Sequence, residues 1–182
     1  MDQIAVEAGL TKRTLYNNYD DKRALFLDVV TDIVAFAESF AQELRHDLTA
    51  DVSAERLDAT LRALGRRLAA GIMREEVIAL RRLLIGEAKE FPALAADYFD
   101  RAPAAVIEAL ASGFDRLAKS GLLRVSDARG AAAQFAYLVV GEALDRAILT
   151  GTLPSRARVA AAVDDGVETF LARYRTARTM KR

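Results

Sequence analysis

The single histidine of the chain, His46, closes the run Glu43-Leu44-Arg45-His46. Glu-x-x-His is the spacing with which helical bundles hold a di-iron centre, but such a centre takes a second Glu-x-x-His from another helix. With one histidine in 182 residues there is no second pair. A side chain at a helix end, beside the negative pole of the dipole, is the plainer reading of His46. A nucleophile-histidine-acid triad would have to move that same residue into a cleft. No cysteine is present, which removes thiolate ligands and disulfides. Neither Gly-x-x-x-x-Gly-Lys nor Gly-x-Gly-x-x-Gly occurs to cradle phosphates. The acidic pairs Glu75-Glu76 and Asp164-Asp165 fall at expected helix starts or exposed faces, where carboxylates are common without chemistry. The residues therefore point to no enzyme, no metal site and no cofactor.

Hydrogen-bond donors, by contrast, gather in residues 1–26. Gly9 can take the left-handed conformation that stops a first short helix, and the Thr11 hydroxyl can cap a second. Two short helices joined in this way have the grammar of a helix-turn-helix. Ile4, Ala8, Leu10, Leu15 and Tyr19 are then expected to face inward. Thr11, Lys12, Arg13, Thr14, Tyr16 and Asn18 point outward, as donors suited to phosphates and base edges. Lys22 and Arg23 follow an Asp21 cap in the first turn of the next helix, where the dipole disfavours cations. An external phosphate would offset that cost and would also meet free backbone N–H groups. The chain has 26 basic and 26 acidic residues, so no bulk field attracts nucleic acid and any DNA contact must be local.

The elements that must carry this surface are helical. Alanine, leucine, arginine and glutamate dominate, and no period-2 strand pattern appears. The fold class is all-α. Apolar residues recur at three- and four-residue steps from Leu25 to Leu44, through Val29, Ile33, Phe36, Ala37 and Phe40, and predict one long helix ending near His46. Further helices are expected over 53–71, 74–91, 93–120 with a kink at Pro103, 127–150 and 155–175. Phe91-Pro92, Ser120-Gly121 and the run Gly151 to Ser155 punctuate them. Met180-Lys181-Arg182 reads as a frayed end. Half the residues, 52%, are hydrophobic, enough for a substantial core. No signal-like or membrane-length apolar run occurs, so the expected location is the cytoplasm, without a membrane.

Ile4-Ala5 through Ala8-Gly9, then Thr11-Lys12-Arg13-Thr14-Leu15-Tyr16, Asp21-Lys22 and Ala24-Leu25-Phe26 resemble the N-terminal signature of the TetR family. Family members commonly have His and Phe where this chain has Asn18 and Tyr19. Asn18 can still donate to a phosphate, and Tyr19 keeps the ring while adding a hydroxyl that needs a partner. Arg81 to Pro92 resembles a run in one common C-terminal class of the family. The resemblance implies a homodimeric regulator of double-stranded operator DNA, a repressor more often than an activator, released when a small-molecule effector binds. It also implies a basic arm and a complete helix before the segment equivalent to Met1-Asp2-Gln3. That helix is absent here, and the reading is of an N-terminally truncated chain in which Ile4 and Leu15 lie exposed.

The resemblance divides the chain into a DNA-binding domain with its connecting helix, residues 1–45, and a regulatory and dimerisation domain, residues 46–182. Phe36, Phe40, Phe91, Tyr98, Phe99, Phe114, Phe135 and Tyr137 sit on different helices and could converge on an effector pocket, with Phe36, Phe40, Phe99, Phe114 and Tyr137 as its expected lining. Glu87 and Glu142 each sit in an apolar stretch and, if buried, need a partner such as Arg81 or Arg146. An unpaired carboxylate there would favour a cationic ligand. The last two helices carry more apolar residues than one face requires, and Phe135, Leu138, Leu144, Ile148, Val159, Val163, Val167 and Phe170 are the expected dimer surface. The competing function is a helical ligand-binding or scaffolding dimer without competent DNA reading.

Overall fold

Among the described residues, four helices start at residues whose side chains accept a backbone hydrogen bond. The computed structural model describes residues 1–48 and 52–176, so Met180-Lys181-Arg182 lies outside the described residues. The Thr11 hydroxyl accepts from the Thr14 N–H at 3.1 Å and opens α2 (Lys12–Asn18) after the short α1 (Asp2–Glu7). Asp21 accepts from the Ala24 N–H at 2.8 Å and opens α3 (Lys22–Asp47), with Arg45 and His46 in its last turn. Asp127 and Ser155 cap α8 (Ala128–Thr150) and α9 (Arg156–Tyr174) in the same way. Each such cap is worth about 1 kcal/mol. Gly9, at a φ of 65°, makes the turn between α1 and α2. Gly151 takes the left-handed cap of α8.

Between these lie α4 (Leu57–Ile72), α5 (Glu75–Glu87), α6 (Pro92–Phe99) and α7 (Ala105–Lys119). α6 and α7 are two parts of one continuous helix joined by a π-helical turn, Asp100–Ala104. Pro103 has no N–H for the carbonyl four residues back, and its ring crowds that carbonyl. The helix widens there by one turn instead of breaking. Among the described residues there is no strand, only an isolated bridge between Leu123 and Arg175.

The core has two parts. The larger joins the later half of α3 to α4, α7, α8 and α9 around Phe114, Phe135 and Phe170, whose ring centroids stand 5.0–5.3 Å apart. The smaller joins Phe26, Val30, Val34 and Ala37 of α3 to Leu80 and Leu84 of α5 and Tyr98 of α6. α3 is thus built into the larger body along most of its length while its first turn adjoins the helix-turn-helix. No helix among the described residues is long and apolar enough to cross a membrane.

Arg62 of α4 ties that helix to α9. Its guanidinium reaches Asp58 at 2.7 Å and Asp164 at 2.9 Å, and Arg66 reaches Asp164 at 3.1 Å. The hydrogen bond from Arg62, then the charges of Arg66 and Arg62, hold the Asp164 carboxyl below its ordinary range. A carboxylate favoured in the folded state stabilises it above the unfolded pKa, near 3.9, and ceases to do so as pH falls through the lower folded value. Asp164→Asn is therefore expected to melt below the parent at pH 7. The gap should close under acid conditions, below about pH 4. Thermal melts across pH check this, and a gap independent of pH would assign the loss to packing.

Candidate DNA-reading surface and effector cavity

α1 and α2 bury little. Ala5 is the buried residue of α1 and Leu15, 4% exposed, that of α2. Four residues depart from expectation here. Leu15 is buried and Ile4 half-buried, so neither lies exposed. Ala8 and Leu10 were expected inward, yet both are exposed, because the Gly9 turn carries Leu10 to the outside while its N–H bonds back to the Ala5 carbonyl at 2.8 Å. Val6, at 79%, is the most exposed large apolar side chain. Tyr19 does find its partner, donating to Asp28 of α3 at 2.6 Å, and this bond holds the phenol above its ordinary pKa.

The outward donors divide by what already holds them. The Thr11 and Thr14 hydroxyls bond each other at 2.8 Å. Lys12 reaches back to Asp2 at 2.9 Å and pins α2 to α1. The Asn18 amide donates to the Thr14 carbonyl at 2.8 Å, leaving one of its two hydrogens for another acceptor. Lys22 stands 4.0 Å from Glu87 of α5. Arg13 and Tyr16, both exposed, make no hydrogen bond or ion pair within the described residues. All seven lie on α2, at its Thr11 cap or in the first turn of α3.

A cavity of about 80 Å³ lies among α3, α4, α5, the π turn, α7 and α8. Phe36, Phe40, Tyr98 and Tyr137 line it, with Pro103, which the aromatic pattern of the sequence does not single out. The other expected pocket residues sit elsewhere. Phe114 is wholly buried in the ring cluster, and Phe99, at 50% exposure, faces solvent. Glu142 is exposed and pairs with Arg158 at 2.7 Å rather than with Arg146. Glu87 lies at the rim of a separate, larger groove between α1, α3 and α5, beside Lys22 and not Arg81. The charged residue on the cavity wall is instead Arg81, whose Nε is buried without a hydrogen-bond partner. The signal was present: Arg81 follows Val77 by four residues and shares the inner face of α5 with it.

The expected dimer residues also separate. Phe135, Val163, Val167 and Phe170 are 0–1% exposed and belong to the protomer's own core, because α8 and α9 pack along each other and along α7 and α4. Leu144, Ile148 and Val159 are half-buried. Leu138 alone of the eight is exposed, and beside it on α8 lie Tyr137 at 61% and Leu149 at 73%.

A helix-turn-helix carried on a long helix into an all-helical body with an apolar cavity between its helices defines a DNA-binding regulator that answers to a small ligand. The family model for the AefR-like transcriptional repressor C-terminal domain matches residues 59–176. Among solved structures, a TetR-family transcriptional regulator from Mesorhizobium loti is similar, with 29% identity, a TM-score of 0.74 and 96% of this chain and 86% of that one covered. The flavonoid-responsive regulator FrrA is similar at 29% identity and a TM-score of 0.64, with 97% and 87% covered. A TetR regulator from Agrobacterium tumefaciens shares the fold at 23% identity and a TM-score of 0.70, with 97% and 84% covered. No curated protein matches. The chain belongs to the TetR family of transcriptional regulators, and it is a ligand-responsive repressor.

Proposed function

We propose that two copies of the chain read an operator with their α2 helices and release it when an effector enters the cavity behind Phe36 and Phe40. In this reading residues 1–45 are the DNA-reading unit with its connecting helix, residues 46–182 are the regulatory body, and both act in the cytoplasm. Arg13 and Tyr16 are the residues freest to meet base edges, while Thr11, Lys12, Thr14, Asn18 and Lys22 position the helix against phosphates. The outer face of α8 and α9, around Tyr137, Leu138 and Leu149, is the surface for the second copy.

The observation that carries the coupling is the placement of Phe36 and Phe40 in mid-α3. They wall the cavity, while the first turn of the same helix adjoins α2. Pockets for organic ligands hold roughly 300–1,000 Å³, so a cavity of about 80 Å³ must widen to admit one. A ligand must push these rings aside and move α3 with them. Recognition helices of a dimer must stand about 34–36 Å apart to fit successive major grooves, and a small change in that spacing undoes two-site docking. The likeness to a flavonoid-responsive regulator supports an aromatic effector.

Selection from a random DNA pool tests the reading. An inverted repeat with half-sites one helical turn apart is expected to be enriched. Arg13→Ala and Tyr16→Ala should each weaken binding to it by about 1–3 kcal/mol, whereas Lys22→Ala should lower the salt slope by about one. A pool that yields no preferred sequence, or variants that bind like the parent, would count against it.

A further inference from the structure

Resting on that reading of the cavity, we infer that the effector is an aromatic carboxylate whose anionic end is held by Arg81. Among the described residues, Arg81 is the only one with a formal charge on the cavity wall, and no acidic side chain lines it. Its Nε is buried without a hydrogen-bond partner, and no ion pair engages its guanidinium among the described residues. Its own helix offers none either. The positions three and four residues away are Val77, Ile78, Leu84 and Ile85, all apolar. A buried donor left unpaired destabilises a fold unless something else completes it.

The chemistry of the completing group follows from the guanidinium. It is a planar fork that is charged at every physiological pH and matches two carboxylate oxygens with parallel bonds. A neutral guest against that wall would leave the charge unmatched, and a cationic guest would be repelled by it. The sign is opposite to the one that Glu87 or Glu142 in the cavity would have given. The rest of the wall selects the body of the ligand. Phe36 and Phe40 stack with centroids 6.0 Å apart, and Tyr98, Ile107 and Val140 face them with apolar surface. A flat ring system slides between such faces at low cost, and aromatic contacts add to its area burial. Arg74 stands 4.3 Å over the Phe36 ring but does not line the cavity, which leaves Arg81 as its cation.

Calorimetric titration with three probes of one ring system tests the assignment: naphthoate, its neutral methyl ester, and naphthylmethylamine. The parent protein is expected to bind naphthoate at least about ten-fold more tightly than the ester and to reject the amine, since each tenfold corresponds to one well-made charged contact. Arg81→Met should erase that preference by weakening naphthoate at least about ten-fold while sparing the ester. Arg81→Lys should restore part of it. The unliganded Arg81→Met protein should melt at or above the parent, because the variant removes an unsatisfied donor; a structural role for Arg81 predicts the reverse. Gly71→Ala marks the cavity independently. A Cβ there would stand 2.6 Å from the Phe40 ring and push it into the space, weakening every probe that binds.

Equal affinity for naphthoate and ester in the parent, with both lost in Gly71→Ala, would keep the cavity and overturn the role of Arg81. Preference for the amine, or naphthoate binding unchanged by Arg81→Met, would overturn it as well. Failure of all three probes to bind the parent would remove the cavity reading together with the inference.

Discussion

Phe135→Ala is expected to destabilise the protein by about 3–5 kcal/mol, the usual range for deleting a ring from a well-packed core. Phe135 is fully buried and meets Phe114 at 5.3 Å and Phe170 at 5.2 Å, edge to face in both pairs. Its removal leaves a hole bordered by α4, α7, α8 and α9, which hold one another in place and cannot all collapse inward. The effect should be on folding and not on assembly. Leu138, three residues on, is 41% exposed and gives the opposite result. Leu138→Arg should leave the unfolding of the protomer within about 0.5 kcal/mol of the parent but turn a dimer into a monomer at micromolar concentration. Urea unfolding at fixed protomer concentration, paired with light scattering, separates the two. A Phe135→Ala protein that unfolds like the parent, or a Leu138→Arg protein that stays dimeric, would contradict the division of α8 into an inner and an outer face.

The second large effect is expected at Gly166 of α9. A Cβ at this position would lie 2.7 Å from the Leu138 carbonyl oxygen, 2.8 Å from its carbon and 3.0 Å from the Val139 nitrogen. These are backbone atoms, so no rotamer change relieves the contact. Gly166→Val must force α8 and α9 apart, and overpacking of this kind costs about 1–3 kcal/mol or more. Since both helices also form the outer face proposed for the second copy, dimer affinity should fall with stability. Gly141→Ala is the control. Its Cβ would meet nothing closer than the Tyr137 side chain at 4.0 Å, and the gain in helix propensity should make it neutral or stabilising by up to about 1 kcal/mol. Unfolding that ranks Gly166→Val level with Gly141→Ala would show that the two helices do not touch at this point.

What could be read from the sequence follows the range of the interaction. Thr11, Asp21 and Ser155 cap helices through bonds that span three residues, so their neighbours in the chain already specify them. The all-α class and the positions of the breaks are of the same kind. The face of each helix is not. Phe135 and Leu138 are equally apolar and three residues apart, and only the placement of α7 and α9 decides which one is enclosed. Glu87 and Glu142 look stranded among apolar neighbours in the sequence, yet each stands beside a cation on another helix, Lys22 and Arg158. Arg81 drew attention as the partner of one of them. The helices packed against α5 are α3, α6 and α8, and no local window contains them all.

The π turn at Asp100–Ala104 has the bearing of a phase correction. One residue of an α-helix turns the chain through about 100°, so a surplus residue absorbed there rotates α6 relative to α7 by about that much. Tyr98 before the turn, Ala102 within it and Val106 and Ile107 after it all line the cavity, across that adjustment. Deleting a single residue from the turn would restore an unbroken α-helix with better hydrogen bonding and point Tyr98 away from the space it now encloses. In this segment regularity and shape are opposed, and the wall of the cavity exists because the helix is one residue out of step.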